Sequence, residues 1–300
     1  MTRNVQALLA ALCFFSITIW GCNYKGMVIK SSYLMVDEAI QAFFEETDTI
    51  LAGEAAPANL KLVEGMARGA PENIDVQLAA AQMLGMYAFG FLEDSTLDEN
   101  AQEQANARAA HLYRRALKHA RQALQQRADF AAMTAMEITD FEKALQQFDA
   151  RDVPALFWTA FNWGLYINLS RADVNAIADL PRVQAMARRI IELDEPYFYG
   201  GAHLIVMVYN GVLGPALGGS PDKTRKAYYR AWQLSDKKFL MSKYLFARYY
   251  CRQTQNRWLF EKLLKEIIAA PDDLLQSQAL SNALAKEKAA RLLSQADEMF

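Results

Sequence analysis

Residues 69–93 read GAPENIDVQLAAAQMLGMYAFGFLE, and this stretch carries the signals that decide the fold. Pro71 interrupts one apolar pattern, and a second pattern begins after it, with apolar residues three and four positions apart. This period indicates an amphipathic helix, and a short break between two such stretches is typical of a helical hairpin. Pro196 and Pro271 stand at breaks of the same kind, which predicts that the hairpin recurs along the chain.

Small and aromatic residues recur at the spacing of tetratricopeptide hairpins. Two triplets place a small residue, an aromatic residue four positions on and alanine three further: Ala109-Tyr113-Ala116 and Thr224-Tyr228-Ala231. Small residues let paired helices approach, and the aromatic ring fills the gap against the next hairpin. We therefore expect an all-α fold in which degenerate tetratricopeptide-like hairpins stack into a superhelical, solenoid-like bundle.

The apolar pattern predicts helices throughout and no strand. The predicted helices run over 32–52, 57–68, 73–93, 99–127, 129–147, 153–169, 181–193, 197–210, 221–234, 237–251, 255–269 and 272–298. Short breaks rich in Gly, Pro or Asp separate them. Residues 31–300 are expected to form a single domain.

The beginning of the chain is expected to lie outside this domain. Residues 1–21 contain an apolar run from Val5 to Trp20, which is too short to span a bilayer as a helix. An apolar residue, a small residue and then Cys22 resemble the lipobox of a bacterial lipoprotein, which predicts cleavage before Cys22, its lipidation and a tether over 22–30. The residue after this cysteine is Asn23 and not aspartate, which favours anchoring of the lipoprotein in the outer membrane, on its periplasmic side. The alternatives are an uncleaved signal anchor and an ordinary secretory signal.

Composition argues against several classes of protein. With 32 basic and 34 acidic residues, the formal charge is −2, so nucleic acid is not an expected partner. Three cysteines and three histidines are widely scattered, and we therefore expect no metal site and no cofactor. In the only glycine-rich loop, Gly219 is followed by Ser220 and not by the lysine of a phosphate-binding loop, which argues against nucleotide binding.

This glycine-rich segment, 210–223, is open to two interpretations. In the first, Gly218 and Gly219 allow a tight reversal and Ser220 caps a helix that begins at Pro221. In the second, the loop forms a rim that contacts a ligand or a partner protein. The candidates for such contact are Asn210, Gly214, Gly218, Gly219 and Ser220.

Two predicted helices carry candidates for a ligand cavity. Trp158, Asn162 and Tyr166 are four apart and share a helix face, where the amide would orient an otherwise apolar ligand. Tyr244 and Arg248 also lie four apart, and a guanidinium suits a carboxylate. The alternatives are core packing for the first set and, for Arg248, an ion pair with an acid between hairpins.

Longer stretches resemble a known family. HLIVMVYNGVLGPALGGSPDK at 203–223 and LSNALAKEKAARLLSQADEMF at 280–300 are similar to the T component associated with tripartite ATP-independent periplasmic (TRAP) transporters. The resemblance covers nearly all of the chain beyond the signal. It implies a helical lipoprotein with cryptic tetratricopeptide hairpins, a periplasmic solute-binding protein as partner, and no enzymatic activity.

From this resemblance we expect a lipid-anchored periplasmic protein that docks the solute-binding protein and holds or passes a small organic acid or hydrophobic ligand. The alternative is a scaffold lipoprotein for envelope assembly that binds no small molecule. Self-association is expected because stacked hairpins leave apolar surfaces at their ends. A homotrimer is one of the states to test.

Overall fold

The computed structural model describes residues 37–213 and 218–300, and these residues contain helices and no β-strand. The helices of the first part are α1 (37–44), α2 (Thr49–Gly69), α3 (Ile74–Tyr87), α4 (Glu99–Gln125), α5 (Phe130–Thr134), α6 (Ile138–Ala144), α7 (Val153–Leu169), α8 (Val174–Ala178) and α9 (Leu180–Asp194). Those that follow are α10 (Tyr197–Val212), α11 (Pro221–Leu234), α12 (Leu240–Phe246), α13 (Arg257–Ile268), α14 (Ala279–Ser294) and α15 (Ala296–Met299). The all-α prediction is confirmed. The predicted signal 1–21, the lipidation site Cys22, the tether 22–30 and Gly214 lie outside the described residues.

Helix starts follow from capping side chains. Asp48 accepts hydrogen bonds from the backbone N–H groups of Ile50 and Leu51, and Asn73 accepts one from Val76. Such caps satisfy N–H groups that have no partner within the helix. The breaks they create let α3 pack against α2 on one side and α4 on the other, and α4 packs in turn against α7.

The two small–aromatic–small triplets pack as their pattern predicts. In α4, Ala109, Tyr113 and Ala116 are fully buried, and Tyr113 lies in a cluster with Ala88 and Leu92. The triplet of α11 is buried as well, with Tyr228 stacked on Phe246 of α12 at a centroid distance of 4.0 Å. The superhelical, solenoid-like stacking of the hairpins stays a prediction.

Helix α14, near the end of the chain, returns to the beginning of the described residues. Helix α14 packs against α2, and Thr49 Oγ1 donates to Glu287 Oε1 at 2.5 Å. In a one-dimensional stack of repeats, each repeat contacts only its neighbours. The contact between α14 and α2 joins helices far apart in the sequence, which such a stack does not require.

Several predicted boundaries are wrong. The break predicted between residues 52 and 57 is absent, because α2 continues through Pro57. Proline removes one intrahelical hydrogen bond, but buried Ala52, Ala56 and Leu60 pack on both sides of it, and packing outweighs the local loss. The predicted helix 129–147 is divided into α5 and α6, and α8 lies where no helix was predicted.

Candidate functional site

A largely apolar cavity of about 160 Å³ lies among α7, α10 and α12. Its walls are mainly aromatic and aliphatic, and they include Phe157, Phe161, Phe198, Ile205, Phe239 and Leu245. An apolar cavity of about 150 Å³ stays dry and accommodates a molecule the size of benzene. The size and chemistry of this space therefore suit a compact apolar group.

Helix α7 supplies one wall of the cavity. Its sequence predicts a helix that is apolar on two faces, and the structure confirms this, since Phe157, Trp158 and Trp163 are all buried. Close approach of α10 to this wall requires Gly201, where an added Cβ would lie 2.6 Å from the Phe157 ring. The sequence signal was the pair Gly200-Gly201 after Pro196, which the prediction of a regular helix over 197–210 overlooked.

An adjoining part of the cavity wall depends on three consecutive residues with left-handed backbone. Phe198, Tyr199 and Gly200 have φ values of 47°, 59° and 71°, so the right-handed part of α10 begins after them. For a residue with a side chain this conformation costs about 1–2 kcal/mol. Ring packing offsets the cost: the Phe198 ring lies 5.1 Å from Trp158, and Tyr199 stacks on Phe239 at 5.2 Å. The strained turn thereby holds Phe198 in the cavity wall.

A polar end distinguishes one part of the cavity. Arg171, just beyond the C-terminus of α7, donates from Nε to the carbonyl oxygen of Asn168 at 3.0 Å and from Nη2 to Asn168 Oδ1 at 2.5 Å. Asn168 Nδ2 in turn lies 3.5 Å from the Tyr249 hydroxyl. All three residues line the cavity. Sequence reasoning missed them because the cavity forms between elements that are distant in the chain.

The glycine-rich segment borders the same cavity. Val212 and Leu213 contribute to its lining. Gln253 Nε2 donates to the carbonyl oxygens of Asn210 and Leu213 at 2.9 and 2.8 Å, which fixes the start of the segment. The backbone of Gly219 approaches the Leu213 carbonyl too closely to leave room for a Cβ.

The other candidates of this segment are divided between its base and its surface. Gly218 is exposed, with φ of 88°, and Ser220 Oγ accepts from the backbone N–H of Lys223, so the predicted cap of α11 is confirmed. Asn210 is buried, and its amide donates to the carbonyl of Val206 in its own helix at 2.8 Å. Contact between this segment and a partner stays a prediction.

The candidates Trp158 and Asn162 lie in the core beside the cavity, outside its lining. Asn162 Nδ2 donates to the Trp158 carbonyl at 2.7 Å and to the Ala81 carbonyl of α3 at 3.3 Å. Tyr166 is half-buried, with the guanidinium of Arg114 at 5.9 Å from its ring centre. These contacts favour the packing interpretation, and a ligand role for the three stays a prediction.

Tyr244 and Arg248 do come together, and they meet an acid. The Tyr244 hydroxyl donates to Asp94 Oδ2 at 2.8 Å, and Arg248 forms an ion pair with Asp94. The alternative interpretation of Arg248, an ion pair with an acid from a distant part of the sequence, is therefore present in the structure. A ligand role for these two residues stays a prediction as well.

Two single-turn π-helices, at Ala88–Leu92 and Ala247–Cys251, stand next to this polar cluster, and each contributes one residue, Phe89 and Tyr249, to the cavity lining. Such turns are frequent at functional sites because they re-aim side chains. After the first turn, the Glu93 carboxylate accepts from the Tyr113 hydroxyl at 2.5 Å, and its carbonyl accepts from the Lys288 ammonium. Burial raises the pKa of Glu93 and lowers that of Lys288.

The chain is similar to one family of known proteins. The family model described as TRAP transporter T-component matches residues 45–300 of the chain. No curated protein matches it. Within the described ranges, none of the helices combines the length and apolar character required to cross a bilayer. In the same ranges, no three His, Cys, Asp or Glu side chains come together as a metal site.

Proposed function

Because the chain belongs to the TRAP transporter T-component family, we propose that it docks the solute-binding protein of a TRAP transporter and holds or passes a small ligand. The observation that carries the proposal is the cavity beside the glycine-rich segment, since Val212 and Leu213 belong to both. A solute-binding protein seated on that segment would lie next to the cavity.

The chemistry of the cavity supports a ligand with an apolar body. Aromatic and aliphatic side chains form most of its walls, and Arg171 with Asn168 offers hydrogen-bond donors at one end. A few placed polar groups in an otherwise apolar cavity fix the orientation of a ligand. A small hydrophobic acid satisfies both parts of this surface.

Membrane attachment belongs to the same proposal. Lipidation at Cys22 would confine the protein to a membrane facing the periplasm, with the outer membrane favoured by Asn23. Stable anchoring requires more than one acyl chain, which a bacterial lipoprotein cysteine carries. Confinement raises the effective concentration for a partner. A homo-oligomer completes the proposal and is tested by sedimentation of residues 23–300.

Docking is tested with residues 23–300 immobilised and the purified solute-binding protein of the same transporter in solution. We expect Gly218→Trp to weaken binding at least tenfold, while Gly65→Trp, on the exposed face of α2 with open space around it, leaves binding unchanged. Circular dichroism checks that both variants are folded. Equal binding by both variants would refute docking at the loop, and no binding by the unmodified chain would refute docking altogether.

Ligand binding is tested separately by calorimetry with toluene and benzoate. Ala160→Leu fills the cavity and should abolish binding of both, whereas Ala132→Leu, on the exposed surface of α5, should change neither. Arg171→Gln should weaken benzoate about tenfold and spare toluene. If neither compound binds, the cavity proposal is wrong. If a pull-down from periplasm recovers assembly proteins and no solute-binding protein, the scaffold alternative replaces the transport role.

A further inference from the structure

Helix α4 is strongly basic over most of its length, although the whole chain has a formal charge of −2. Residues 104–125 hold five arginines or lysines and no acid. Two of these cations lie over aromatic rings of α7: Arg121 is 4.3 Å from the Trp163 ring centre, and Arg114 is 5.9 Å from that of Tyr166. Contacts with α7 thus account for one face of the helix, and another face remains to be explained.

That other face borders an open groove of about 520 Å³ between α2 and α4, with α3 beneath it. Arg108, His111 and Arg115 follow one another at spacings of three and four, which places them along one face of α4. Lys61 stands on the α2 side. Between these walls lies a floor of apolar or aromatic side chains: Leu60, Leu84, Tyr87 and Leu112.

The charges of the groove are only partly compensated. Glu64 accepts from Arg115 Nε at 2.9 Å and pairs with Lys61 at 3.2 Å, so one carboxylate serves two cations. Arg108 and His111 are exposed and make no hydrogen bond or ion pair with the described part of the chain. A carboxylate from outside would find two free donors, and the groove has a net positive charge that attracts it.

We propose that this groove binds an extended acidic peptide segment of a partner protein. The apolar floor favours a peptide over a small anion, because it offers side-chain burial that a free anion does not use. From Arg108 to Arg115 the helix rises about 10 Å, roughly the length of three extended residues. An acidic side chain at Arg108 and an apolar one over the floor fit within this distance.

The chain's own leading segment offers no carboxylate for this groove. Residues 1–36 contain Arg3, Lys25 and Lys30 and no aspartate or glutamate. A basic segment next to Arg108 would be repelled. The groove is separate from the cavity beside α7, and the proposal does not depend on ligand binding there.

The test is selection of a phage-displayed random dodecapeptide library on residues 23–300, followed by fluorescence anisotropy with the enriched peptides. We expect enriched sequences that combine Asp or Glu with apolar residues and bind more weakly as salt rises. Arg108→Glu should reduce their affinity at least tenfold. Lys226→Glu makes the same change of charge at an exposed lysine of α11 and should leave affinity unchanged.

Each other outcome overturns the proposal. No enrichment above the support, enrichment without acidic residues, or equal binding to the Arg108→Glu and Lys226→Glu variants would exclude an acidic peptide in this groove. Calorimetry with succinate distinguishes a small-anion site: binding as tight as that of the peptides, and lost in Arg108→Glu, would assign the groove to a free anion. Dimers in sedimentation that Arg108→Glu dissociates would assign it to a second copy of the chain.

Discussion

The Lys288 ammonium of α14 donates a hydrogen bond to the main-chain carbonyl of Glu93, which precedes it by 195 residues. Both residues are almost completely buried, at 1 % and 3 % exposure. The neighbouring Asp94 carbonyl accepts from Arg291 Nε at 2.9 Å, so two cations of one helix hold two consecutive carbonyls. The contact fixes α14 on the end of the first π turn, next to the cavity.

Removing the Lys288 ammonium should destabilise the protein strongly. We expect Lys288→Met to lower the free energy of unfolding by about 2 kcal/mol, because the buried Glu93 main-chain carbonyl loses its donor and the Glu93 carboxyl group loses one of the cations near it. The Glu93→Gln/Lys288→Met double variant should lose clearly less than the sum of the single losses. Urea unfolding measures all three, with Lys226→Met as an exposed control expected within about 0.5 kcal/mol of the unmodified chain. Additive losses would show that the two side chains are not coupled.

Packing of α3 against α7 depends on the absence of a side chain at position 85. A Cβ on Gly85 would collide with Oδ1 of Asn162, whose amide is held by two carbonyl groups. We expect Gly85→Ala to destabilise by about 2 kcal/mol, a typical cost of overpacking. Gly65→Ala, in a helix with open space around it, should instead stabilise by about 0.5–1 kcal/mol. Thermal or urea unfolding compares the two, and equal effects would contradict this account.

Acid sensitivity should depend on Glu195, which links α9 to two later helices. It accepts from Arg230 Nε at 2.7 Å and from His203 Nε2 at 2.9 Å. The Arg230 guanidinium, with help from His203, lowers the pKa of Glu195 to about 2 from an ordinary 4.5. Since the pKa is lower in the folded protein, the stabilisation is complete above pH 4.5 and is lost as pH falls towards 2.

Glu195→Gln should therefore remove about 1 kcal/mol of stability at pH 7, and the difference from the unmodified chain should shrink on acidification through this interval. Unfolding in urea at several pH values measures the effect. Glu137→Gln, at an exposed residue without a side-chain cap, serves as the control and should follow the unmodified chain at every pH. A constant difference between pH 7 and pH 3 would contradict the assigned pKa.

Gly200 and Gly218 both have positive φ, but only Gly200 lies in crowded surroundings, so alanine variants at the two positions distinguish the cost of backbone strain from that of crowding. At Gly218 a Cβ would meet nothing within 4 Å, whereas at Gly200 it would lie 3.0 Å from the Ala231 Cα. Gly218→Ala should cost about 1 kcal/mol from backbone conformation alone. Gly200→Ala should cost at least about 1 kcal/mol more, because α11 must move away. Unfolding free energies give both values, and a larger loss at Gly218 would refute the assignment.

The fold class could be predicted because it depends on local signals. Apolar spacing along α3 and α4 and the small–aromatic–small triplets act within one helix or between neighbours, where sequence distance and spatial distance agree. Ser220 as the cap of α11 was predictable for the same reason. Pro57 shows the limit: its local effect favours a break, and burial of the surrounding alanines overrides it.

The cavity could be predicted only in part. The periodicity of α7 correctly predicts a helix buried on two faces, but it does not show which face meets the cavity. It therefore indicates Trp158, whereas Phe157 and Phe161 line the cavity. Arg171 is not among the predicted residues, because an isolated arginine after a helix has no distinctive local signal. The left-handed turn at Phe198 depends on rings contributed by α7 and by residues near α12, which no local pattern contains.

The contact between α14 and α2 has a consequence for how the chain folds. Thr49 and Glu287 are 238 residues apart, and their hydrogen bond closes nearly the whole sequence into a loop. Pairings between such distant residues slow folding, because the chain loses loop entropy before it gains the contact. Ala52 of α2 is buried in one cluster with Leu280 and Leu284 of α14, so the first hairpin cannot complete this apolar contact until α14 has been synthesised. We therefore expect equilibrium unfolding in one concerted step, and truncation before residue 279 should destabilise helices at the opposite end of the sequence.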